Sequence, residues 1–327
     1  MNKRHALRLF ALAAVPLLPL ACARAQEPPF PPRTITIVVG FAAGGAADAA
    51  ARLIGRKLGE NLGVPVVIDN KPGAGGNIAH QYVAKTAPAD GSVILFGSVG
   101  PLTIAPHLMK LPYDPVKDFA PITMGVNFPN VLVVHSGLKI RTFAEFVAHA
   151  KAHPGKLDYA STGPGSASHL AGELLNDMAK IQTVHVPYKG GAPALQDLLG
   201  ERVASYYSTF ATAQPHIASG KLVPLAVTGT SRLSTLPKVP TIAESGFPGY
   251  SATNWYAFVA SSRVPKAVLD RYNAELMKVL KAPEVVTSLN AHGLPPQPGT
   301  REELAKLMEK ESATWSRVIR ERKIVGE

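Results

Sequence analysis

The chain has 327 residues, of which 46% are hydrophobic and 17% are charged. This composition excludes a disordered protein, and the length is sufficient for two ordinary domains. The formal net charge of +11 favours acidic partners or ligands. Nucleic-acid binding is disfavoured, because the Lys and Arg residues form neither a basic run nor a basic helix interleaved with aromatic residues.

The N-terminal segment has the pattern of a secretory signal peptide. A basic start, "MNKRH" with Arg8, precedes the apolar run "LFALAAVPLLPLA", and "ARA" then matches a cleavage site ending at Ala25. The apolar run has about 13 residues, which is short for a transmembrane helix of about 20. We therefore expect residues 1–25 to be a cleaved signal peptide and the rest of the chain to be exported.

The single cysteine, Cys22, lies inside this signal. A lipid anchor on Cys22 is the alternative to cleavage near Ala25, but Pro19 stands where a lipoprotein signal has an aliphatic residue. After cleavage the chain has no cysteine for a disulfide, a thiolate nucleophile or a metal site.

The next part of the chain predicts a first α/β unit. The β-branched run "RTITIVVGF" is followed by the helical pattern "DAAARLIGRKLGENLG", and the strand "VPVVIDN" by the helix "GNIAHQYVAKTAP". A third strand, "SVILFGS", completes a β-α-β-α-β order. This order predicts a parallel, doubly wound sheet that is covered by helices.

The pattern restarts near Ile122 and predicts a second α/β unit. Its strands are "NVLVVHS", "LDYAS", "TVHVPY", "RVASYYS" and "LVPLAVTG", separated by four helical patterns. Residues 255–259 then read as a strand, and "PKAVLDRYNAELMKVLKAP" and "TREELAKLMEKESATWSRVIRERK" as long amphipathic helices. Because little strand remains to pair with these helices, we expect them to pack on the first unit.

Three glycine-rich loops each follow a predicted strand and open a predicted helix. They are "FAAGGAAD" (41–48), "STGPGSAS" (161–168) and "YKGGAPA" (188–194). In open parallel sheets ligands bind at this end of the strands, where helix N-termini offer unpaired N–H groups and partial positive charge. One such loop could be a plain capped connection, but three loops shared between two units favour a cleft that binds an anion from both sides. Asp48 fits an N-cap as well as a ligand contact.

No nucleotide-binding or catalytic motif is complete. "KPGAGGNIA" lacks both the P-loop pattern and the dinucleotide glycine spacing. Neither Ser166 in "GPGSASH" nor Ser98 in "FGSVG" matches a nucleophile elbow, and Ser166, three residues before His169, suits a helix cap. His149 and His153 stand four apart without a carboxylate companion. We therefore predict a protein that is not an enzyme and has no cofactor or metal.

Six blocks of the sequence together carry a family resemblance. In chain order they are "TITIVVGFAAGGAADAAAR", "VVIDNKPGAGGNIA", "YASTGPGSASHLAGELL", "VHVPYKGGAPALQDLLG", "HIASGKLVPLAVTGTSR" and "LPKVPTIAESGFPGY". Over about residues 30–320 the chain resembles the Bug-type periplasmic substrate-binding receptors of tripartite tricarboxylate transporters.

The resemblance implies an α/β, two-lobed periplasmic binding protein of type II, the Venus-flytrap class, with two doubly wound sheets. The hinge would consist of two crossover strands near 124–134 and 222–229. Lobe 1 would then comprise residues 26–125 and 229–327, and lobe 2 residues 126–228.

The resemblance also implies ligand contacts in and beside the glycine-rich loops. Carried over motif by motif, they are Phe41, Ala43, Gly44, Asp48, Asn77, Ser98, Thr162, Gly163, Ser166, His169, Gly191 and Ser208. The family usually has proline before the first-loop phenylalanine, where this chain has Gly40, and this difference leaves the pose of Phe41 open. Whether Asp48 and His169 touch the ligand or support the loops is also open.

The function implied by the resemblance is that of a monomeric periplasmic receptor. It would bind a small organic anion, a mono-, di- or tricarboxylate or an acidic amino acid, and deliver it to a membrane transporter. A ligand sensor that acts on a signalling partner is the first alternative, and an exported hydrolase that uses Ser166 is the second. The sequence does not name the carboxylate.

Overall fold

The computed structural model describes residues 30–324. The predicted signal peptide and Cys22, with its alternative lipid anchor, lie outside the described residues. Across residues 30–324 there is no helix with the length and apolar character needed to cross a membrane.

Nine strands within the described residues form one sheet in the order β2-β1-β3-β9-β4-β7-β5-β6, and β8 pairs with β4. The strands are β1 (Ile35–Val39), β2 (Val66–Asn70), β3 (Val93–Ser98), β4 (Phe119–His135), β5 (Leu157–Ser161), β6 (Thr183–Pro187), β7 (Ser205–Thr209), β8 (Leu222–Val227) and β9 (Thr253–Ser261). The α-helices are α1 (Ala46–Leu62), α2 (Asn77–Gln81), α3 (Phe143–Ala152), α4 (Ala167–Ala179), α5 (Gly191–Leu199), α6 (Phe210–Ala218), α7 (Lys266–Lys281), α8 (Pro283–Ala291) and α9 (Arg301–Glu321).

Lobe 1 is built on β1, which pairs in parallel with β2 and β3, while β9 runs antiparallel to β3. Both faces of β1 are covered: Ile37 contributes to one buried cluster and Val38 to another. Burial on both faces explains why this strand reads as a continuous β-branched run. Ile54 and Leu58 of α1 are fully buried in the cluster that contains Ile37.

Lobe 2 repeats this plan with β5 at its centre. β5 pairs in parallel with β6 and β7, and α4 and α5 each follow one of these strands. The predicted strand "LDYAS" matches β5 in both of its ends. Strand β7, which lies between β5 and β4, runs antiparallel to β4, as does β8.

The hinge is formed where the long strand β4 passes from one lobe to the other. Residues Phe119 to Pro129 pair with β9 in lobe 1, and the following residues pair with β7 and β8 in lobe 2. A second connection runs beside it: the Thr228 N–H donates to the Asn130 carbonyl oxygen and the Ala252 N–H to that of Thr228, both at 2.9 Å. The predicted two-lobed class with crossing strands is therefore confirmed.

The C-terminal helices pack on lobe 1, as expected, with one extension. The Tyr272 hydroxyl on α7 donates to the Gly91 carbonyl oxygen at 2.6 Å, and Arg301 Nε on α9 to that of Pro121 at 3.0 Å. Beyond the end of α9, however, Arg322 forms an ion pair with Asp177 of α4 in lobe 2. The last helix therefore contacts both lobes.

Three details differ from the predicted elements. The predicted helix after "KPGAG" is regular only over α2, since Tyr82–Thr86 forms a wider turn that ends with the Ala87 N–H bonded to Tyr82 O at 2.9 Å. Helix α8 was not predicted; Pro283 at its first position starts a new helix directly after α7.

The third detail concerns residues 229–252, which the predicted boundaries assign to lobe 1. Phe247 packs edge-on against Phe143 with ring centroids 5.9 Å apart, and the Tyr250 hydroxyl donates to the Ala171 carbonyl oxygen at 2.8 Å. Both partners belong to lobe 2. The lobe boundaries themselves stay a prediction.

Candidate functional site

Loops from the two lobes meet directly above the hinge. The Ala42 N–H in the 41–48 loop donates to the carbonyl oxygen of Lys189 in the 188–194 loop at 3.1 Å. Beside this pair, the loop before α2 approaches the 161–168 loop: a Cβ placed on Gly75 would lie 2.2 Å from the Pro164 oxygen. The four loops therefore meet between the lobes.

The N-termini of two helices from opposite lobes point into this site. α1 begins after Gly45 and α5 after Gly190, and neither N-cap residue makes a side-chain capping bond. A Cβ placed on Gly45 would lie 3.8 Å from the backbone nitrogens of Gly191 and Ala192, so the first turns of the two helices face each other. Both present unpaired N–H groups and partial positive charge to the same space.

Ser98, at the end of β3, provides an unpaired hydroxyl in this site. Its side chain is buried, and Oγ has no hydrogen-bond partner among residues 30–324. A Cβ placed on Gly76 would lie 3.6 Å from both Ser98 Oγ and Phe41 Cζ, which locates the hydroxyl beside the first loop. An unpaired buried hydroxyl is costly, and a ligand atom would satisfy it.

An aromatic wall lines the same region of lobe 1. The ring of Phe41 lies 6.2 Å from that of Tyr256 on β9, and the ring of Tyr256 lies 5.1 Å from that of Phe128. Tyr256 is the partner of Ser98 in the strand register. Tyr256, the aromatic partner of Phe41, was not predicted as a site residue.

In lobe 2, the hydroxyls of the 161–168 loop form a connected chain. Ser168 Oγ accepts from the Thr162 N–H at 2.9 Å and lies 3.2 Å from Thr162 Oγ1 and 3.0 Å from Ser166 Oγ. Ser166 Oγ caps α4 by accepting from the His169 N–H at 3.3 Å. Ser166 is therefore the helix cap that its spacing favoured. Ser168 was missed by motif matching, although it belongs to the same hydroxyl-rich run.

His169 supports the turn at the entrance to α4. Its Nδ1 accepts from the Gly165 N–H at 3.1 Å, and its ring stacks on His185 with centroids 4.1 Å apart. Burial, reinforced by His185, lowers the pKa of His169 to about 3, so the ring is neutral near pH 7. The hydrogen bond between Ser166 and His169 involves the backbone N–H of His169, because the Nδ1 atom of its ring is bonded to Gly165. The Ser166 hydroxyl and the His169 ring therefore do not form a nucleophile–base pair.

Two further predicted residues have their polar atoms bonded within lobe 1. Asp48 Oδ2 accepts from the Gly44 N–H and from Arg52 Nε, both at 3.0 Å. Asn77 donates to the Ala74 carbonyl oxygen at 2.7 Å and accepts from the Tyr113 hydroxyl at 2.6 Å. These bonds hold the backbone of the 41–48 loop and of the loop before α2.

The charge of Asp48 follows from the same contacts. Burial by itself would raise the pKa of this carboxyl, but the hydrogen bonds from Arg52 and from the Gly44 N–H outweigh burial and lower its pKa below the ordinary range. Asp48 is therefore ionised at neutral pH. Its negative charge is balanced locally, since an Arg52 nitrogen also lies 2.9 Å from Oδ1.

Hydroxyl groups surround the start of α5. A Cβ on Gly191 would lie 3.1 Å from the Tyr206 hydroxyl and 3.5 Å from Thr212 Oγ1. Ser208 is fully buried two residues after Tyr206, and its hydroxyl donates to the Thr209 carbonyl oxygen at 2.9 Å. Burial raises the pKa of Tyr206, with a smaller opposing effect from Ser208, so the phenol stays protonated. Tyr206 and Thr212 were not predicted as site residues. For Tyr206, the alternation in the strand "SYYST" shows only which residues share a face of the sheet.

Lys71 and the histidine pair His149 and His153 make contacts of their own. Lys71, at the start of the loop before α2, is paired with Asp69 at 3.0 Å. His153 is exposed, and its Nδ1 lies 3.1 Å from the carbonyl oxygen of His149. Over the described part of the chain, no three or more His, Cys, Asp or Glu side chains are grouped so that they could hold a metal ion.

Two lobes joined by crossing strands, with glycine-rich loops facing each other above the hinge, define a two-lobed solute-binding protein. Residues 50–324 match the family model described as the tripartite tricarboxylate transporter family receptor. The chain belongs to this family, whose members are solute-binding receptors rather than enzymes.

Two relatives illustrate the similarity over the whole chain. A protein encoded in the tcbD-tcbE intergenic region of Pseudomonas sp. (strain P51) is 38% identical over 321 residues, which are 98% of this chain and 94% of the relative. Protein BugT of Bordetella pertussis is 34% identical over 293 residues, 89% of this chain and 90% of BugT. The resemblance to Bug-type receptors is therefore confirmed.

Solved structures agree with the fold. R. palustris Rpa4515 with adipate superposes with a TM-score of 0.87 at 35% identity, covering 91% of this chain and 99% of that protein. MatC from Rhodopseudomonas palustris with bound malate has a TM-score of 0.84 at 34% identity, with coverage of 89% and 100%.

Proposed function

We propose that this chain is a periplasmic receptor that binds a small carboxylate between its lobes and delivers it to a membrane transporter. The observation that carries the proposal is the meeting of the α1 and α5 N-termini from opposite lobes. The unpaired Ser98 hydroxyl lies in lobe 1 near the ring of Phe41, which belongs to the loop before α1. Oriented N–H groups and a hydroxyl bind a carboxylate without requiring a basic side chain. The adipate and malate bound to the two R. palustris proteins support this ligand class.

The twelve predicted contacts divide into residues that would contact the ligand and residues that would position the loops. Nine residues present backbone or hydroxyl groups to the ligand: Phe41, Ala43, Gly44, Ser98, Thr162, Gly163, Ser166, Gly191 and Ser208. Asp48, Asn77 and His169 position the loops instead, because each bonds a backbone group of its own loop, at Gly44, Ala74 and Gly165.

The aromatic wall of Phe41 and Tyr256 would contact the carbon skeleton of the ligand. The pKa of Tyr256 is raised by burial and further by the nearby Tyr206, so both phenols are neutral donors at pH 7. A site of neutral donors suits reversible capture, because no buried ion pair has to be broken on release. Contacts to both lobes at once make the bound ligand favour the closed arrangement.

Titration calorimetry tests the ligand class. We expect at least one of malate, adipate, citrate, glutamate and benzoate to bind, and glucose and arginine to give no heat. Binding of glucose or arginine with no binding by any carboxylate would contradict the proposal. Native mass spectrometry of protein purified from the periplasm would identify an acid that copurifies.

Delivery and location require separate experiments. Deletion of the gene should abolish uptake of the acid that binds in calorimetry, and unchanged uptake would contradict a role in transport. N-terminal sequencing of the periplasmic protein should find Gln26 first, which places the cleavage after Ala25. A lipid-modified Cys22 would instead support the membrane-anchored alternative.

A further inference from the structure

Glycines of each lobe contact the backbone of the other lobe at three places around the site. These contacts differ from ordinary side-chain packing, because a single methyl group on the glycine would overlap with main-chain atoms across the cleft. Main-chain atoms cannot rotate away as a flexible side chain can. The separation of the closed lobes is therefore set by the absence of Cβ atoms.

The first contact joins the loop before α2, in lobe 1, to the 161–168 loop. A Cβ on Gly75 would lie 2.2 Å from the Pro164 oxygen, and a Cβ on Gly163 would lie 2.5 Å from the Gly75 nitrogen. Gly75 and Gly163 both have positive φ, at 63° and 120°. Glycine is thus favoured here by the local backbone as well as by the opposite lobe.

The second contact joins the segment after β3 to the turn before α4. A Cβ on Gly100 would lie 2.7 Å from the Gly165 oxygen and 3.0 Å from Ser166 Cα, while one on Gly165 would lie 2.9 Å from Ala105 Cβ. The third contact is at Gly190, whose Cβ would lie 2.9 Å from the Ala42 nitrogen, next to the bond from Ala42 to Lys189.

We propose that these three glycine contacts are a steric stop that fixes how far the lobes close, and that Gly100 is the position that controls closure. The consequence for binding rests on the proposed function: an acid too large for this fixed spacing cannot be enclosed. The glycine contacts thereby determine ligand size, separately from the groups that bind the carboxylate.

Gly100 is suited to a test because the atoms close to its Cβ position belong to lobe 2 and not to its own lobe. It opens the helical segment Gly100–Ile104, and its φ is outside the positive range in which L side chains are strained. Apart from its chain neighbours and its own helix backbone, the three heavy atoms nearest to its Cβ position all belong to Gly165 and Ser166 of lobe 2. Gly100→Ala therefore obstructs the closed state alone.

Gly200→Ala is the matched control. Gly200 ends α5 with a φ of −83°, and the atoms nearest to its Cβ position are the Gln196 oxygen at 3.3 Å and an Arg202 nitrogen at 3.6 Å, both within lobe 2. The control introduces the same methyl group without touching the opposite lobe.

Closure is measured by disulfide trapping in the full chain with Cys22 replaced by serine. Ala42→Cys and Lys189→Cys place one thiol on each lobe, at residues whose backbone atoms are 3.1 Å apart in the closed arrangement. A disulfide needs Cα atoms within about 7 Å, so its rate of formation under a fixed oxidant reports how often the lobes close.

We expect Gly100→Ala to slow trapping at least about tenfold, since forcing atoms into a packed contact is strongly unfavourable. Gly200→Ala should trap at the rate of the parent pair. Equal rates in Gly100→Ala and the parent would overturn the proposal, as would a parent pair that never forms the disulfide. Failure of Gly100→Ala to fold would also overturn it, because Gly100 would then be required within lobe 1.

The experiment needs no ligand, so it separates this proposal from the proposed function. Slower trapping in Gly100→Ala without any carboxylate binding would refute the receptor function and retain the steric stop. Carboxylate binding with equal trapping rates would retain the function and refute the stop.

Discussion

His169 Nδ1 accepts a hydrogen bond from the backbone N–H of Gly165 at 3.1 Å, and this bond fixes a glycine that itself abuts the opposite lobe. We predict that His169→Leu lowers the free energy of unfolding by about 1–3 kcal/mol, because it leaves the buried Gly165 N–H without an acceptor. Urea unfolding would measure the loss, and calorimetry with the bound carboxylate should show weaker binding.

His169→Asn serves as the control, because the amide oxygen of asparagine can replace the Nδ1 acceptor. It should recover part of the stability lost in His169→Leu. Equal destabilisation by both substitutions would mean that ring stacking on His185, rather than the bond to Gly165, is the contribution of this residue.

Stability should fall in mild acid because two histidines are buried in neutral form. Unfolded histidine gains a proton below its ordinary pKa of 6.5, whereas burial lowers the pKa of His80 to about 4 and that of His169 to about 3. Between these values the unfolded state holds more protons than the folded state, so the free energy of unfolding falls as pH falls. One such group contributes at most about 1.4 kcal/mol per pH unit.

The comparison of His169→Asn with the parent isolates one of these histidines. Between pH 6 and 4 the parent should lose up to about 1.4 kcal/mol more per pH unit than the variant. Carboxyl groups titrate alike in both proteins and cancel in the difference. Parallel pH profiles would show that His169 is not held neutral by the fold.

Ser98→Ala should separate binding from stability. Because Ser98 Oγ has no partner within residues 30–324, its removal should leave the free energy of unfolding unchanged or slightly higher. The affinity for the bound carboxylate should fall by about 1–3 kcal/mol, since a ligand oxygen would lose its donor.

Thr103→Val is the counterpart of that experiment. The Thr103 hydroxyl is also buried, but it donates to the Val99 carbonyl oxygen at 2.8 Å. Here stability should fall while affinity is retained. If Ser98→Ala destabilises the protein without weakening binding, Ser98 is not a ligand contact.

Asp48 and Arg52 of the 41–48 loop and helix α1 should contribute unequally to the free energy of unfolding. Asp48→Ala leaves the Gly44 N–H unpaired and should cost about 1–3 kcal/mol, whereas Arg52→Ala keeps that bond, removes the cation beside the buried carboxylate, and should cost less. Urea unfolding of both variants checks the order. Because the Asp48 pKa is lowered, its contribution is present above the ordinary carboxyl pKa and is lost as pH falls through the lowered value.

The sequence by itself determined most of the elements and the chemistry of the loops. β-branched runs such as that of β1 and glycine-rich turns such as 41–48 are local features, because propensity and turn geometry depend on neighbouring residues. The cap role of Ser166 likewise followed from its spacing before His169. Motif matching located the loops of the site for the same reason.

Only the tertiary structure decided which atoms in those loops are available. Asp48, Asn77 and His169 have motif positions like that of Ser98, yet each bonds a backbone group within its own lobe, whereas the Ser98 hydroxyl bonds nothing among the described residues. The placement of Tyr206 beside Gly191, and of Gly100 against Gly165, joins residues that are distant in the chain. The first contact arises from how α5 packs on β7 within lobe 2, and the second from how β4 sets one lobe against the other. A local sequence pattern carries no information about either distance.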